Sequence, residues 1–127
     1  QGYAVGMGNP HLIFFIKDIN EISLSLLGPI FENNKLFPEK TNVHFSQIID
    51  RENIKVLVWE RGAGPTLACG TGACAVHVAA YKLGLCNPET NINLPGGNLK
   101  INWSKLEEEI LMTGYAKKVF SGTYSLK

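Results

Sequence analysis

Cys74 to Leu83 is a run of alanines, valines and Tyr81 that carries polar groups only at His77 and Lys82 and stops at Gly84. A helix apolar on nearly every side has to be buried, and a glycine just past its end is the usual stop. Ahead of it lies Thr66-Leu67-Ala68-Cys69-Gly70-Thr71-Gly72-Ala73, a stretch of small residues that places Cys69 at the mouth of the helix. The remainder of the chain must supply what buries this segment. With 127 residues, 45% hydrophobic and 18% charged, it is long enough to form a core and too apolar for disorder.

The other periodic segments are mostly β-prone. Gly2–Met7 and Leu12–Ile16 flank the turn-forming Gly8-Asn9-Pro10-His11. Val43–Ile49 and Ile54–Trp59 flank Asp50-Arg51-Glu52-Asn53, and Asn91–Leu94 and Leu99–Trp103 flank Pro95-Gly96-Gly97-Asn98. Glu109–Thr113 and Ala116–Tyr124 form a last expected pair. A second helix, capped by Asp18 or Asn20, is expected to present Ile22, Leu24, Leu26, Leu27, Ile30 and Phe31, and to kink or shorten at Gly28-Pro29.

Charge excludes several functions. Twelve basic residues face eleven acidic ones, and Lys117-Lys118 is the nearest approach to a basic cluster, so nucleic acid and acidic membranes are not expected partners. No apolar stretch has the length of a membrane-spanning helix, and no basic-then-apolar leader opens the chain. Three cysteines are too few for a disulfide scaffold and suit a reducing compartment, which makes the cytoplasm the expected location. The opening at Gln1, with strand-like residues almost at once, reads as a piece of something longer.

Cys69 is where chemistry is expected. A thiol titrates near pH ~8.5, and unpaired N–H groups at a helix mouth favour its thiolate. Those same groups hold carboxylates, and Gly70 and Gly72 allow close backbone approach. A carboxylate neutralised there eases removal of the adjacent α-proton. The competing reading is a cysteine acting as a small hydrophobe beside a glycine-shaped turn. A metal site of Cys69, Cys74 and His77 is disfavoured because no paired Cys-x-x-Cys exists and the last two lie within an apolar helix; Cys74, His77 and Cys86 read as structural.

ERGAGPTLACGTGACA, Glu60 to Ala75, resembles the second cysteine signature of the diaminopimelate epimerases. MGNPH (Met7–His11), LGPIFENNKLFPEKTNVHF (Leu27–Phe45), LPGGNLKINW and the closing MTG also resemble segments of that family, in the family's order. The resemblance covers essentially the whole chain. It implies an α+β fold in which a mixed, mostly antiparallel sheet wraps a central helix starting near Gly70. Residues 1–127 would form the C-terminal epimerase domain, with the N-terminal half and its partner cysteine absent.

Further expectations follow from the resemblance residue by residue. Cys69 would be one of two opposed thiol acid/bases. Gly70 and Thr71 would offer N–H groups to the carboxylate at the reacting centre, and Asn9, Asn42, Glu60 and Arg61 would bind substrate, Arg61 through its two-pronged guanidinium. His11 and Glu60 would tune the cysteines; otherwise they read as a turn histidine and a strand-end carboxylate. The reaction implied is LL- to meso-diaminopimelate, without pyridoxal phosphate or metal, in an intact homodimer. A proline racemase-like isomerase and a non-catalytic binder of small zwitterions are the alternatives. Three positions depart from the pattern: Pro65 replaces a glutamate, Tyr115 a proline, and Phe120 a tyrosine associated with dimer contacts. With only one of the two opposed catalytic thiols, the chain alone is expected not to invert a stereocentre. Its sheet edges are expected to invite association.

Overall fold

Alternation along two neighbouring strands determines what covers each face of the sheet. In the computed structural model, which describes residues 1–103 and 109–126, Asn42–Ile48 (β3) lies antiparallel to Asn53–Glu60 (β4), with His44 opposite Val58 and Phe45 opposite Leu57. His44 and Val58 face inward with Ile54 and Val56. Phe45 and Trp59 face outward, because successive strand residues take opposite sides.

The inner face packs on the helix Gly70–Lys82 (α2). Its Ala73, Ala75, Val76, Ala79 and Ala80 join Ile13, Ile54, Val56, Val58, Ile92, Leu94 and Ile101 in one buried cluster. The run of alanines and glycines is what lets a helix axis lie so near the sheet. Leu83 ends it: Gly84, at φ 73°, donates to Tyr81 O at 3.0 Å and Leu85 donates to Ala80 O at 2.9 Å, the paired bonds of a glycine-terminated helix.

The sheet runs Gly2–Gly6 (β1), Pro10–Phe15 (β2), β3, β4, Glu89–Leu94 (β6), Gly97–Asn102 (β7) and Leu111–Gly114 (β8). The three-residue strand Gly64–Thr66 (β5) folds back on β4. Among the described residues, only β2 with β3 and β4 with β6 pair in parallel; each remaining pair is antiparallel. Since α2 touches β1, β2, β3, β6 and β7, the sheet curls around it. The mixed, mostly antiparallel sheet around a central helix is the expected architecture. Among the described residues, no helix is long and apolar enough to cross a membrane.

Leu24–Glu32 (α1) covers part of the outer face, with Phe31 against Phe14 and Phe45. Its start differs from expectation. Asp18 instead caps a separate 3-10 turn, Ile19–Glu21, and Ser23 occupies the cap position of α1. The helix also continues past Pro29 to Glu32. A proline there removes one bond, to the exposed Ser25 carbonyl, which water can satisfy. At the other end of the chain, β8 is Leu111–Gly114 instead of Glu109–Thr113, and Ala116–Tyr124 is not a strand. A strand needs a neighbour to bond to. In this segment Val119, Phe120 and Tyr124 are all exposed, and none is available among the described residues.

Gly28 fixes how closely α1 approaches the sheet, because a β-carbon on it would lie 2.3 Å from Trp59 Cδ2. Helix propensity favours alanine over glycine by about 1 kcal/mol, while forced overpacking costs about 1–3 kcal/mol. Gly28→Ala is therefore expected to lower the unfolding free energy in urea by up to about 2 kcal/mol; a gain would show that Trp59 yields freely.

Candidate active site

Cys69 caps α2. Its backbone is extended (φ −143°, ψ 110°), its carbonyl accepts from Ala73 N–H at 2.9 Å, and its sulfur accepts from Gly72 N–H at 3.4 Å. Two contacts locate it. Gly96 N–H donates to Leu67 O at 2.7 Å, so the tight β6–β7 turn holds the loop before the helix, and the Met112 side chain of β8 lies against Gly70. Gly70 and Thr71 N–H groups, in the first helical turn directly after the half-buried Cys69, have no partner among the described residues.

A line of side chains leads from this mouth into the interior. Thr71 Oγ1 lies 3.7 Å from Cys69 Sγ and accepts from Asn9 Nδ2 at 3.4 Å. Asn9 Oδ1 is 2.9 Å from His11 Nε2, and His11 Nδ1 is 2.8 Å from His44 Nε2. Both imidazoles are fully buried. Burial holds His11 down at about pH 4, with Glu60 pulling it upward and Arg61 pushing it lower; burial and then the neighbouring His11 bring His44 to about 3. Both rings are therefore neutral near pH 7.

The expected residues Asn9, His11, Cys69, Gly70 and Thr71 thus converge. Asn42, Glu60 and Arg61 gather at the neighbouring strand ends. Asn42 donates to Pro10 O at 3.0 Å and accepts Arg61 N–H at 2.9 Å, tying β2 to the end of β4. Thr66 Oγ1 donates to Glu60 Oε1 at 2.6 Å, and Arg61 Nη1 donates to Glu39 O at 3.1 Å, the other guanidinium hydrogens having no partner among the described residues. Pro65 falls in β5, which among the described residues is bonded only to β4, and a strand edge tolerates a residue without an N–H. Phe120 stands apart from this group, 83% exposed. His77 turns away too, with Nδ1 3.9 Å from Cys86 Sγ; burial raises Cys74 and Cys86 and lowers His77 to about 4.

Two residues went unrecognised in the sequence. His44 occupies the space that Gly72 leaves: a β-carbon on Gly72 would lie 2.2 Å from His44 Cε1. The missing side chain at Gly72 thus makes room for a buried ring, where a ligand-facing role was expected. Glu32 is 6% exposed and accepts from Trp59 Nε1 at 2.7 Å and Gly62 N–H at 2.9 Å, with Lys40 3.9 Å away. Those bonds, Trp59's first, hold its carboxyl below the usual range against the opposing effect of burial, and they pin the loop after Glu60 and Arg61. A signal existed for each: a histidine inside an apolar strand, and an acid in the last turn of a helix, where the dipole disfavours it.

The model of the family described as diaminopimelate epimerase matches residues 3–119. Proteins named diaminopimelate epimerase are 51% identical over 123 residues in Microcystis aeruginosa, 53% over 120 in Prochlorococcus marinus and 45% over 126 in Moorella thermoacetica. They cover 97%, 94% and 99% of this chain. The chain spans 44%, 42% and 45% of their lengths, less than half of each. Among solved structures, a phenazine biosynthesis protein of the PhzF family from Enterococcus faecalis superposes with a TM-score of 0.57. Its identity is 10%, and the match covers 76% of this chain and 35% of that one. The Bacillus anthracis PhzF-family protein gives 0.56 at 21% identity, over 80% and 33%. At such identities the likeness is one of fold.

Three buried histidines, His11, His44 and His77, are expected to make the chain acid-sensitive. Unfolded, each takes up a proton near pH 6.5; folded, each resists until about pH 4 or 3. The unfolded state binds more protons across that interval, so stability falls as pH drops from about 6.5 toward 4, by ~1.4 kcal/mol per pH unit for each proton taken up. Urea midpoints measured from pH 7.5 to 4.5 should decline steeply; a flat profile would mean that the rings are protonated in the fold.

Proposed function

Since the chain belongs to the diaminopimelate epimerase family, we propose that it supplies the C-terminal half of an enzyme that interconverts LL- and meso-2,6-diaminopimelate, with Cys69 as one of two thiol acid/bases. The observation that carries the reading is the helix mouth. One half-buried thiol sits beside two unpartnered N–H groups, so a carboxylate held by Gly70 and Thr71 places the neighbouring α-carbon within reach of Sγ.

In this reading Cys69 takes the α-proton of the LL isomer while a thiol of the absent half delivers a proton to the opposite face, and the roles reverse for the meso isomer. Charge that develops on the carboxylate during proton removal meets the helix N–H groups, which strengthen their hold as it grows. Arg61, Glu60, Asn9 and Asn42 receive the distal amino-acid end. A second zwitterionic end gives Glu60 and Arg61 an ammonium and a carboxylate to pair with, which a proline-like substrate lacks. Buried and neutral, His11 lies between these charges and the thiol and tunes the site through its hydrogen bonds. Neither pyridoxal phosphate nor metal takes part. The intact enzyme works in the cytoplasm for lysine and peptidoglycan synthesis and pairs as a homodimer, for which the exposed Phe120 ring is a contact.

Mixing this chain with the missing half tests the proposal. LL-diaminopimelate should convert only when both halves are present, and Cys69→Ser should lower kcat at least ~100-fold, because a hydroxyl is a far weaker base at neutral pH. Turnover by the serine variant at the parent rate would remove Cys69 from the chemistry. Turnover by this chain alone would remove the need for a second thiol.

A further inference from the structure

His44 belongs to no expected set of site residues, yet it ends the line of side chains that starts at Cys69. We infer that His44 is a positioning residue: its buried ring sets the direction of the hydrogen bonds that run through His11, Asn9 and Thr71 to the Cys69 sulfur. The bearing on proton transfer rests on the reading of Cys69 given above; the direction of the bonds does not.

Direction follows from the buried end. His44 is fully buried, and its Nδ1 has no hydrogen-bond partner among the described residues. A proton on that nitrogen would be a buried donor without an acceptor, which folded proteins tolerate less readily than a bare lone pair. The neutral ring therefore carries its hydrogen on Nε2 and donates to His11 Nδ1, 2.8 Å away. His11, also neutral, must then hold its hydrogen on Nε2 and donate to Asn9 Oδ1 at 2.9 Å. This orients the Asn9 amide so that Nδ2 donates to Thr71 Oγ1 at 3.4 Å. With that lone pair occupied, the Thr71 hydroxyl hydrogen is free to point to Cys69 Sγ at 3.7 Å. Every bond in the series donates toward the thiol, and the sulfur at its end is an acceptor. Gly72 completes the arrangement. Its missing β-carbon seats the His44 ring against the first turn of α2, so the residue that directs the bonds also touches the helix that carries Cys69.

Imidazole tautomers are read directly by 15N NMR on this chain at neutral pH, which holds only three histidines to assign. The inference predicts a neutral Nε2–H form for both His11 and His44. A hydrogen on Nδ1 of either would overturn it. His44→Phe keeps a ring against Gly72 and removes the donor; the single His11 tautomer should give way to a mixture. His44→Gln, whose amide can donate to His11 Nδ1, should restore the Nε2–H form. A folded His44→Phe variant in which His11 stays wholly Nε2–H would show that His44 directs nothing. If the phenylalanine variant fails to fold, the parent and glutamine spectra decide. These spectra are blind to turnover, so failure of the epimerase reading and failure of the bond direction are separate results.

Discussion

Where the backbone of Gly72 meets the ring of His44 there is no room for a β-carbon, and much of the structure is organised around that contact. It sets the height of α2 above the sheet, which the alanines at 73, 75, 79 and 80 then maintain. Because the contact falls in the first turn, it fixes the end of the helix where unpaired N–H groups and Cys69 are found. An apolar ring would fill the space equally well. Histidine adds a donor and an acceptor inside the core, and a hydrogen bond offsets part of the cost of burying them. One nitrogen finds His11, and through it the core is connected to the surface of the site.

On the outer face, a second buried polar group has a comparable role. Glu32 reaches from the last turn of α1 to Trp59 and Gly62, while Gly28, one helical turn earlier, lets the indole pack flat against the helix. The indole and the carboxylate between them determine where β4 ends and how the chain turns away from Glu60 and Arg61. Both charged residues are exposed or half-exposed, and their direction depends on this support and on the Asn42 amide. The site is thus held from two sides of one sheet: inward by His44 and Gly72, outward by Glu32 and Trp59.

Much of this was legible in the sequence where the signal is local. The central helix, its glycine stop, three hairpins and the placement of Cys69 follow from composition and periodicity, and Asn9, His11 and Thr71 do meet near the thiol. What was not legible depends on distant parts of the chain. Ser23 and Asp18 are both good caps, and only packing of the residues between them decided which one opens α1. β5 is three residues with a proline in the middle, too short for any pattern. Ala116–Tyr124 has a strand's composition but no neighbour among the described residues, and composition alone cannot supply one. Glu32 and His44 became site residues through partners 27 to 33 positions away.

The central claim is that the Cys69 sulfur exchanges the α-proton of an amino acid with solvent. Deuterium entry into the α-position of LL-diaminopimelate, followed by NMR in D2O with both halves of the protein present, tests it most directly. The account predicts deuterium incorporation by the parent protein and loss of that incorporation in a folded Cys69→Ala variant. Undiminished exchange in the alanine variant, or none in a well-folded intact parent, would contradict it.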